Sequence, residues 1–418
     1  PDLPCGVMAE SAAAIHDPFR MRAAGRDLLS LALIDARNRT LAWLAAFEAQ
    51  PVAGPLTDAD PPLWLVGQAA WFQEYWVGRH LQRQRGPGGP RRAARLASLE
   101  PLADDWFDPT RRSRAERWAE ALPAPDDLRA YLAATLDNTL ELLDGAEPDD
   151  DGLYVYRAAL WHEDRLAEAL AAVAQAAGVS GAGTPVVLWP DMPARVQREP
   201  LWFPSQPVTL GTPTAGGFVP DNESGLLAQR LPEFEIDAQA VNWAQFAEFV
   251  ADGGYDDARW WSPEGWAWVQ AQGQGTGRRA PRYVEQMTGG VLALRRGRLQ
   301  RLPGAQAVLH VCAHEAEAWC RWAGRRLPTE AEWQAACEGG AGRGWVWGDA
   351  FEWVAGSARN FPGHADGAAP LDRLPHSPAR LLRGASFVTV ARQRHPRARR
   401  FAEAGRDELF AGFRSCAI

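Results

Sequence analysis

Apolar residues recur at helical spacing between residues 28 and 47, and the same periodicity returns at 62–81, 128–143 and 153–177. Positions three and four apart share a helix face, so each run predicts an amphipathic helix. The run at 62–81 is the richest in Trp and Phe. Gly86-Pro-Gly-Gly-Pro and the acidic stretch 145–151 break the pattern and read as turns. Four long helices with polar connections predict an up-and-down bundle, and the interior of such a bundle is a usual place for a metal site built from facing side chains.

Past residue 178 the chain turns to Gly, Pro and short apolar stretches. Trp, Gly and Pro then recur without long helical periods, apart from 243–250 and two short helices at 315–323 and 330–337. Glu330 and Glu332, after Thr329, read as the capped start of the last one. The expected division is a helical bundle over 20–178, a linker over 179–195 and a second domain over 196–418. The fold class expected is α+β, with the irregular loops of the second domain held by buried Trp whose indole N–H groups need acceptors.

Composition narrows the chemistry. With 418 residues the chain is long enough for two cores, and 46% hydrophobic residues with 20 Trp mark it as globular. A net charge of −8 gives no basic field for a phosphate backbone, so a nucleic-acid partner is not expected. All 44 basic residues are arginine. The absence of lysine excludes a Walker-type phosphate loop, a Schiff-base lysine and a lysine general base. Cys5, Cys312, Cys320, Cys337 and Cys416 form no Cys-x-x-Cys pair, which predicts buried thiols in a reducing cytoplasm, although Cys312 and Cys320 are close enough in sequence to meet across a helix end. No apolar run reaches membrane-spanning length and no signal-like segment opens the chain, so a cytoplasmic protein without a membrane partner is expected.

The stretch Leu-Trp-His-Glu-Asp-Arg-Leu-Ala-Glu-Ala-Leu at 160–170 poses the functional question. His162-Glu163 opens a His-Glu-x-x-His metal motif, but Leu166 stands where the second imidazole belongs. Glu163 and Asp164 point about 100° and 200° away around the helix, and Glu168 lies nearly two turns on, so none takes the place of Leu166. His80 is over three turns beyond the early Trp-rich helix's Gln68. His310, His314, His364, His376 and His395 all belong to the second half.

Several phrases are specific enough to carry a resemblance. Asp221-Asn-Glu, Phe234-Glu-Ile-Asp, Phe249-Val-Ala-Asp-Gly-Gly-Tyr and Trp261-Ser-Pro-Glu-Gly-Trp-Ala-Trp are followed in order by Glu315-Ala-Glu-Ala-Trp-Cys-Arg-Trp, Leu382-Arg-Gly-Ala-Ser-Phe and Phe410-Ala-Gly-Phe-Arg-Ser-Cys. Together they resemble the sulfatase-modifying-factor, or formylglycine-generating-enzyme-like, domain, an α+β fold of C-type-lectin-like type. Asp35-Ala-Arg-Asn-Arg-Thr, Pro62-Leu-Trp-Leu-Val-Gly-Gln-Ala-Ala-Trp-Phe-Gln-Glu, Arg117-Trp and His162-Glu-Asp-Arg-Leu-Ala-Glu-Ala resemble the DinB-like four-helix bundle that precedes this fold in ergothioneine-type sulfoxide synthases and selenoneine synthases. His-Glu-Asp followed by Glu-Ala leans toward the selenoneine branch.

The resemblance implies an O2-dependent enzyme with mononuclear non-haem Fe(II), joining a thiol or selenosugar donor to the imidazole of hercynine, the trimethylated betaine of histidine. Iron in that family is held by three histidines, whose positions fall here on Gln68, His162 and Leu166. An amide oxygen is a weak ligand for this ion and an aliphatic branch offers none. Arg39, Arg114 and Leu227 likewise stand where such synthases carry histidine, and no tyrosine follows Tyr283 to supply their catalytic acid, so no catalytic residue is assigned. Two readings stay open: an iron-dependent synthase, or a metal-depleted binding relative.

The formylglycine-generating cysteine pair is absent from residues 382–406, which argues against sulfatase activation. Arg383, Arg414 and Trp266 are candidate substrate contacts. The two arginines have the alternative of tying loops to buried acids or carbonyls. Trp266 is considered with Trp260, Trp261 and Trp268 as a cage for a trimethylammonium group. The arginine-rich run 392–406 reads either as a solvated loop or as a patch for a substrate carboxylate.

Overall fold

The computed structural model describes residues 13–184, 186–214, 216–272 and 278–418, which leaves Cys5 outside. The fold is α+β. Four long helices form the first half: α1 (Arg26–Ala49), α2 (Pro62–Gln73), α3 (Pro125–Asp144) and α4 (Asp150–Ala177). The ends follow local chemistry. Pro125 supplies the first residue of α3, with Asp126 and Asp127 in its first turn. Asp149 caps α4 by accepting from Gly152 N–H at 2.7 Å, and Gly178, in the left-handed region at φ 77°, ends it. Beyond Gln73, α2 continues as a π-helical turn, Glu74–Gly78.

The bundle does not run up and down in strict alternation. Arg157 near the start of α4 donates to the Ala24 carbonyl just before α1, and Ser180 past α4 bonds Gln50 past α1, so α1 and α4 are parallel. Arg129 at the start of α3 pairs with Glu48 at the end of α1, while Arg26 reaches the Asp144 carbonyl, so α3 runs against α1. Phe72 of α2 stacks on His162 while Leu65 shares a cavity with Val173, so α2 runs against α4. The order is therefore up, down, down, up. Parallel α2 and α3 require a connection that returns the length of the bundle, and residues 79–124 provide it. That crossover is pinned by Arg79 to Asp104 at 2.8 Å and by Arg95 lying 3.7 Å over the Tyr75 ring.

The second half carries helices α5 (Trp243–Ala251), α6 (Pro263–Ala271), α7 (Ala313–Trp322) and α8 (Glu330–Gly339). Thr329 and Glu332 cap α8 reciprocally. Strands β1 (Leu201–Phe203) and β4 (Phe234–Ile236) pair with each other, as do β2 (Gln206–Leu210) and β3 (Leu227–Leu231). A three-stranded sheet joins β5 (Val284–Gln286), β6 (Val291–Arg295) and β7 (Arg298–Leu302). The central sheet has the order β10–β9–β8–β11, from β8 (Phe351–Ser357), β9 (Arg380–Gly384), β10 (Arg399–Ala402) and β11 (Ala411–Phe413). Its pairs are antiparallel except β8 with β11. One continuous apolar core runs from the bundle into the second half. A smaller one lies under β1–β4, around Trp333 and Trp345.

Cys312, Cys320, Cys337 and Cys416 are free and buried, so Cys312 and Cys320 do not join. No helix among the described residues is long and apolar enough to cross a membrane.

Candidate functional site

Because α2 and α4 are antiparallel and Phe72 faces His162, the positions one turn away on each helix, Gln68 and Leu166, also face each other. The three positions that the family resemblance assigns to iron ligands thus lie on facing stretches of α2 and α4. The His162 ring lies flat on Phe72, with centroids 3.9 Å apart and planes 7° from parallel. Its Nδ1 is shut from solvent without a hydrogen-bond partner. Burial pushes the imidazole down to about 3, against a weak upward pull from Asp372, so the ring is neutral. Gln68 is buried, and its Nε2 donates to the Phe107 carbonyl at 2.9 Å, leaving Oε1 without a partner. Leu166 is core.

The carboxylates of the same helix are committed elsewhere. Glu163 faces the bundle interior, where Arg37 binds it through Nε at 2.8 Å and Nη2 at 3.1 Å, and Thr40 donates at 2.8 Å. Gln73 accepts from Arg37 at 2.9 Å and completes the network. Asp164 points the other way and takes both Nε and Nη2 of Arg392 at 2.7 Å. Arg392 also reaches Asp35 at 2.7 Å. Trp161 Nε1 and Arg165 both bind Asp372, at 2.9 and 3.1 Å, and Arg400 binds Glu168 at 2.6 Å. Among the described residues no group of three or more His, Cys, Asp or Glu is disposed to hold a metal ion. Of the other histidines, His80 lies against Trp76, His310 against Tyr283, His314 against Trp268, His364 with Asp366 and His395 against Phe19, while His16 and His376 are exposed. These residues do not fit a ferrous ion. One imidazole, an amide whose orientation is set by a backbone carbonyl and an aliphatic side chain make no triad of neutral nitrogen donors.

Beside these positions, where the bundle meets the second half, a cleft of about 140 Å³ opens. Leu56, Leu65, Ala172 and Val173 line it from the bundle, and Phe351, Leu409 and Phe410 from the other side. Its polar wall is charge-balanced. Arg282 spans Asp58 at 2.9 Å and Asp407 at 2.8 Å, Arg400 faces Glu168, Arg406 pairs with Glu408, and Arg114 stands 3.9 Å from Asp60. Arg114 is thus at the cleft, whereas Arg39 is partly buried beside Asp35 at 3.9 Å. Phe351 also carries the Arg400 guanidinium over its ring at 5.1 Å.

The candidate substrate contacts fall elsewhere. Arg383 is buried between Glu330 at 2.9 Å, Gln334 at 3.0 Å and the Pro396 carbonyl. Arg414 is buried against Glu352 at 2.7 Å and the carbonyls of Asp237 and Val346. Both guanidinium groups are thus taken up by buried acids, an amide and carbonyls. Trp266 is half-buried against the core, and Trp261 Nε1 is bound to the Gly254 carbonyl, so the four tryptophans line neither the cleft nor the neighbouring cavity. The run 392–406 is not a solvated loop: Arg392 and Arg399 are buried, and Arg400 and Arg406 reach the cleft. Sequence reasoning missed Asp58, Asp60 and Arg282, which sit in loops with no periodicity to flag them.

Residues 201–369 match the sulfatase-modifying factor enzyme 1-like domain. The chain is similar to the hercynine oxygenase of Mycolicibacterium smegmatis, at 33% identity over 84% of this chain and 75% of that protein. It is also similar to the hercynine oxygenase of Mycobacterium tuberculosis, at 28% identity over 80% and 72%. The formylglycine-generating enzyme of Streptomyces coelicolor is 34% identical over 37% of this chain and 52% of its own length.

Proposed function

Since the chain belongs to the hercynine oxygenase family, we propose that it takes a betaine of the hercynine type in the cleft between bundle and second half, without the iron chemistry that the resemblance implies. The observation that carries this lies at two positions that the resemblance assigns to ligands: Gln68 is held by the Phe107 carbonyl and Leu166 is packed as core. The charge-balanced wall supports the choice of ligand. Hercynine carries one carboxylate and one fixed cation, and a zwitterion suits a cleft in which guanidinium and carboxylate alternate around apolar walls.

The synthase reading, in which hercynine is joined to a thiol or selenosugar donor, rests on likeness across 84% of the chain and on the retained His162. It needs donors that the described side chains do not supply. One experiment separates the two. The purified protein is incubated anaerobically with Fe(II), desalted and analysed for iron, alongside His162→Ala and the Gln68→His/Leu166→His double variant, while hercynine binding is followed by calorimetry. The expected outcome is hercynine binding by the wild type with only trace iron, and iron uptake by the double variant. Stoichiometric iron in the wild type that disappears in His162→Ala would overturn the proposal in favour of the synthase. Absence of hercynine binding would remove the ligand assignment.

A further inference from the structure

A second cavity of about 320 Å³ lies beside the β6–β7 hairpin, next to the segment that leaves α4. Gly178 and the hairpin's Gly297 meet backbone to backbone there; a Cβ on Gly297 would stand 2.5 Å from the Gly178 carbonyl oxygen. This contact sets the hairpin arginines against the start of the connecting segment. Arg295, Arg296 and Arg301 all line the cavity.

The charge here is not balanced as it is in the cleft. Arg295 donates to Gln306 Oε1 at 3.1 Å and approaches Met192 Sδ at 3.8 Å. Arg301 donates to the Gly289 carbonyl at 2.9 Å, and Arg296 lies 5.8 Å over the Trp189 ring. None of the three has a carboxylate within ion-pair distance among the described residues. The one acid on the wall, Asp191, is exposed and binds none of them. Burial and the neighbouring Arg296 push the Arg295 guanidinium down to about 10, which is the electrostatic cost of a cation kept without a counter-ion.

Two further side chains at the wall each leave a buried nitrogen unpaired. His310 is 7% exposed and its Nδ1 has no hydrogen bond. Trp189 Nε1, a donor, is also buried without an acceptor. Native proteins rarely leave such groups unpaired. Aromatic rings of Phe387 and Phe410 close the apolar side.

We propose that this cavity is a binding site for a small organic polyanion, carrying two or more carboxylate or phosphate groups, held by Arg295, Arg296 and Arg301 with Trp189 Nε1–H as an additional donor. Guanidinium forks bind either acid bidentately, so the shared chemistry is multiple negative charge on a compact molecule. The site shares the Phe410 wall with the cleft, but none of its arginines lines the cleft.

The test uses the full chain and three probes, citrate, pyrophosphate and glutamate, each compared with sodium chloride at the same ionic strength by calorimetry and thermal unfolding. At least one probe is expected to bind and raise the melting temperature above the chloride control. Binding by citrate alone identifies a tricarboxylate, by glutamate a dicarboxylate with an amine, and by pyrophosphate a phosphate ligand. Arg295→Gln and Arg301→Gln are each expected to weaken that binding roughly tenfold or more, the value of one charge-assisted hydrogen bond. Arg301 is exposed, so its variant reports on the site even where Arg295→Gln fails to fold. Binding of none of the probes beyond the chloride control, or undiminished binding by both variants, would overturn the proposal.

Discussion

Arg392→Met tests how the two halves are held together. In the native structure the Arg392 and Asp164 side chains are each 1% exposed, and the guanidinium grips the carboxylate through two bonds of 2.7 Å. Burial opposes the charge on Arg392, but Asp164 and Asp35 outweigh it and hold its pKa above the ordinary arginine value. Removing the arginine leaves Asp164 buried and unpaired, at a cost of about 3–5 kcal/mol. Asp35 is 29% exposed and rehydrates, adding at most about 1 kcal/mol. At roughly 2–4 °C per kcal/mol for units of 150–250 residues, the melting temperature falls by on the order of 10 °C.

The companion Asp164→Asn in the Arg392→Met background removes the stranded charge and is expected to recover part of that loss. Scanning calorimetry gives the melting temperatures of the four proteins in the cycle, and limited proteolysis reports cleavage within residues 179–200 as docking loosens. A fall below about 2 °C for Arg392→Met, or a double variant as unstable as the sum of the two single ones, would refute the reasoning.

Burial pushes the Glu315 carboxyl up to about 7, against the pull of Arg278 and hydrogen bonds from Tyr255 at 2.6 Å and the Cys312 N–H at 2.8 Å. A raised folded pKa means stability that is full below about pH 4.5 and lost as pH rises through 7, here by about 3 kcal/mol. Glu315→Gln should flatten the melting temperature across that window, and an unchanged slope would show that another group carries it. Gly67→Ala is expected to destabilise α2 by about 1–3 kcal/mol, because its Cβ would fall 2.1 Å from the Phe107 ring. Denaturant unfolding reads this directly, and a stability gain, as helix propensity alone implies, would mean that Phe107 can move aside.

Much of the helical half was legible because long amphipathic periods survive any tertiary context. The run 128–143 became Pro125–Asp144 and 153–177 became Asp150–Ala177, differing by a few residues at the ends. The helix Pro263–Ala271 went unread although Ser262 caps it and Pro263 opens it, a signal hidden in a tryptophan-rich phrase. The relative direction of the helices was not legible at all, since it is set by the path of residues 79–124, which carry no period. Leu166 stood out from the His-Glu-x-x-His motif, whereas Gln68 was singled out only by the family resemblance. The partners of Glu163 and Asp164 were not: Arg37 lies 126 residues away and Arg392 lies 228 away, and no local pattern encodes such pairings. The cavity at the β6–β7 hairpin was missed for the same reason, because an arginine without a carboxylate looks in sequence like any other.

Helix α4 also shows which contacts hold the phrase around His162 in place. Around the helix axis Trp161, Asp164, Arg165 and Glu168 fall within about 100° of one another, and each binds a residue of the second half. Glu163 faces away from them into the Arg37 network. The phrase His-Glu-Asp-Arg-Leu-Ala-Glu is thus held in place by docking and by a buried ion pair, while towards α2 His162 stacks on Phe72 and Glu163 shares Arg37 with Gln73. Neither residue 68 nor residue 166 takes part in any of those contacts. It follows that Gln68→His and Leu166→His should leave the junction between the halves intact, so a change in iron uptake by the double variant would report on the donor set and not on a loosened fold.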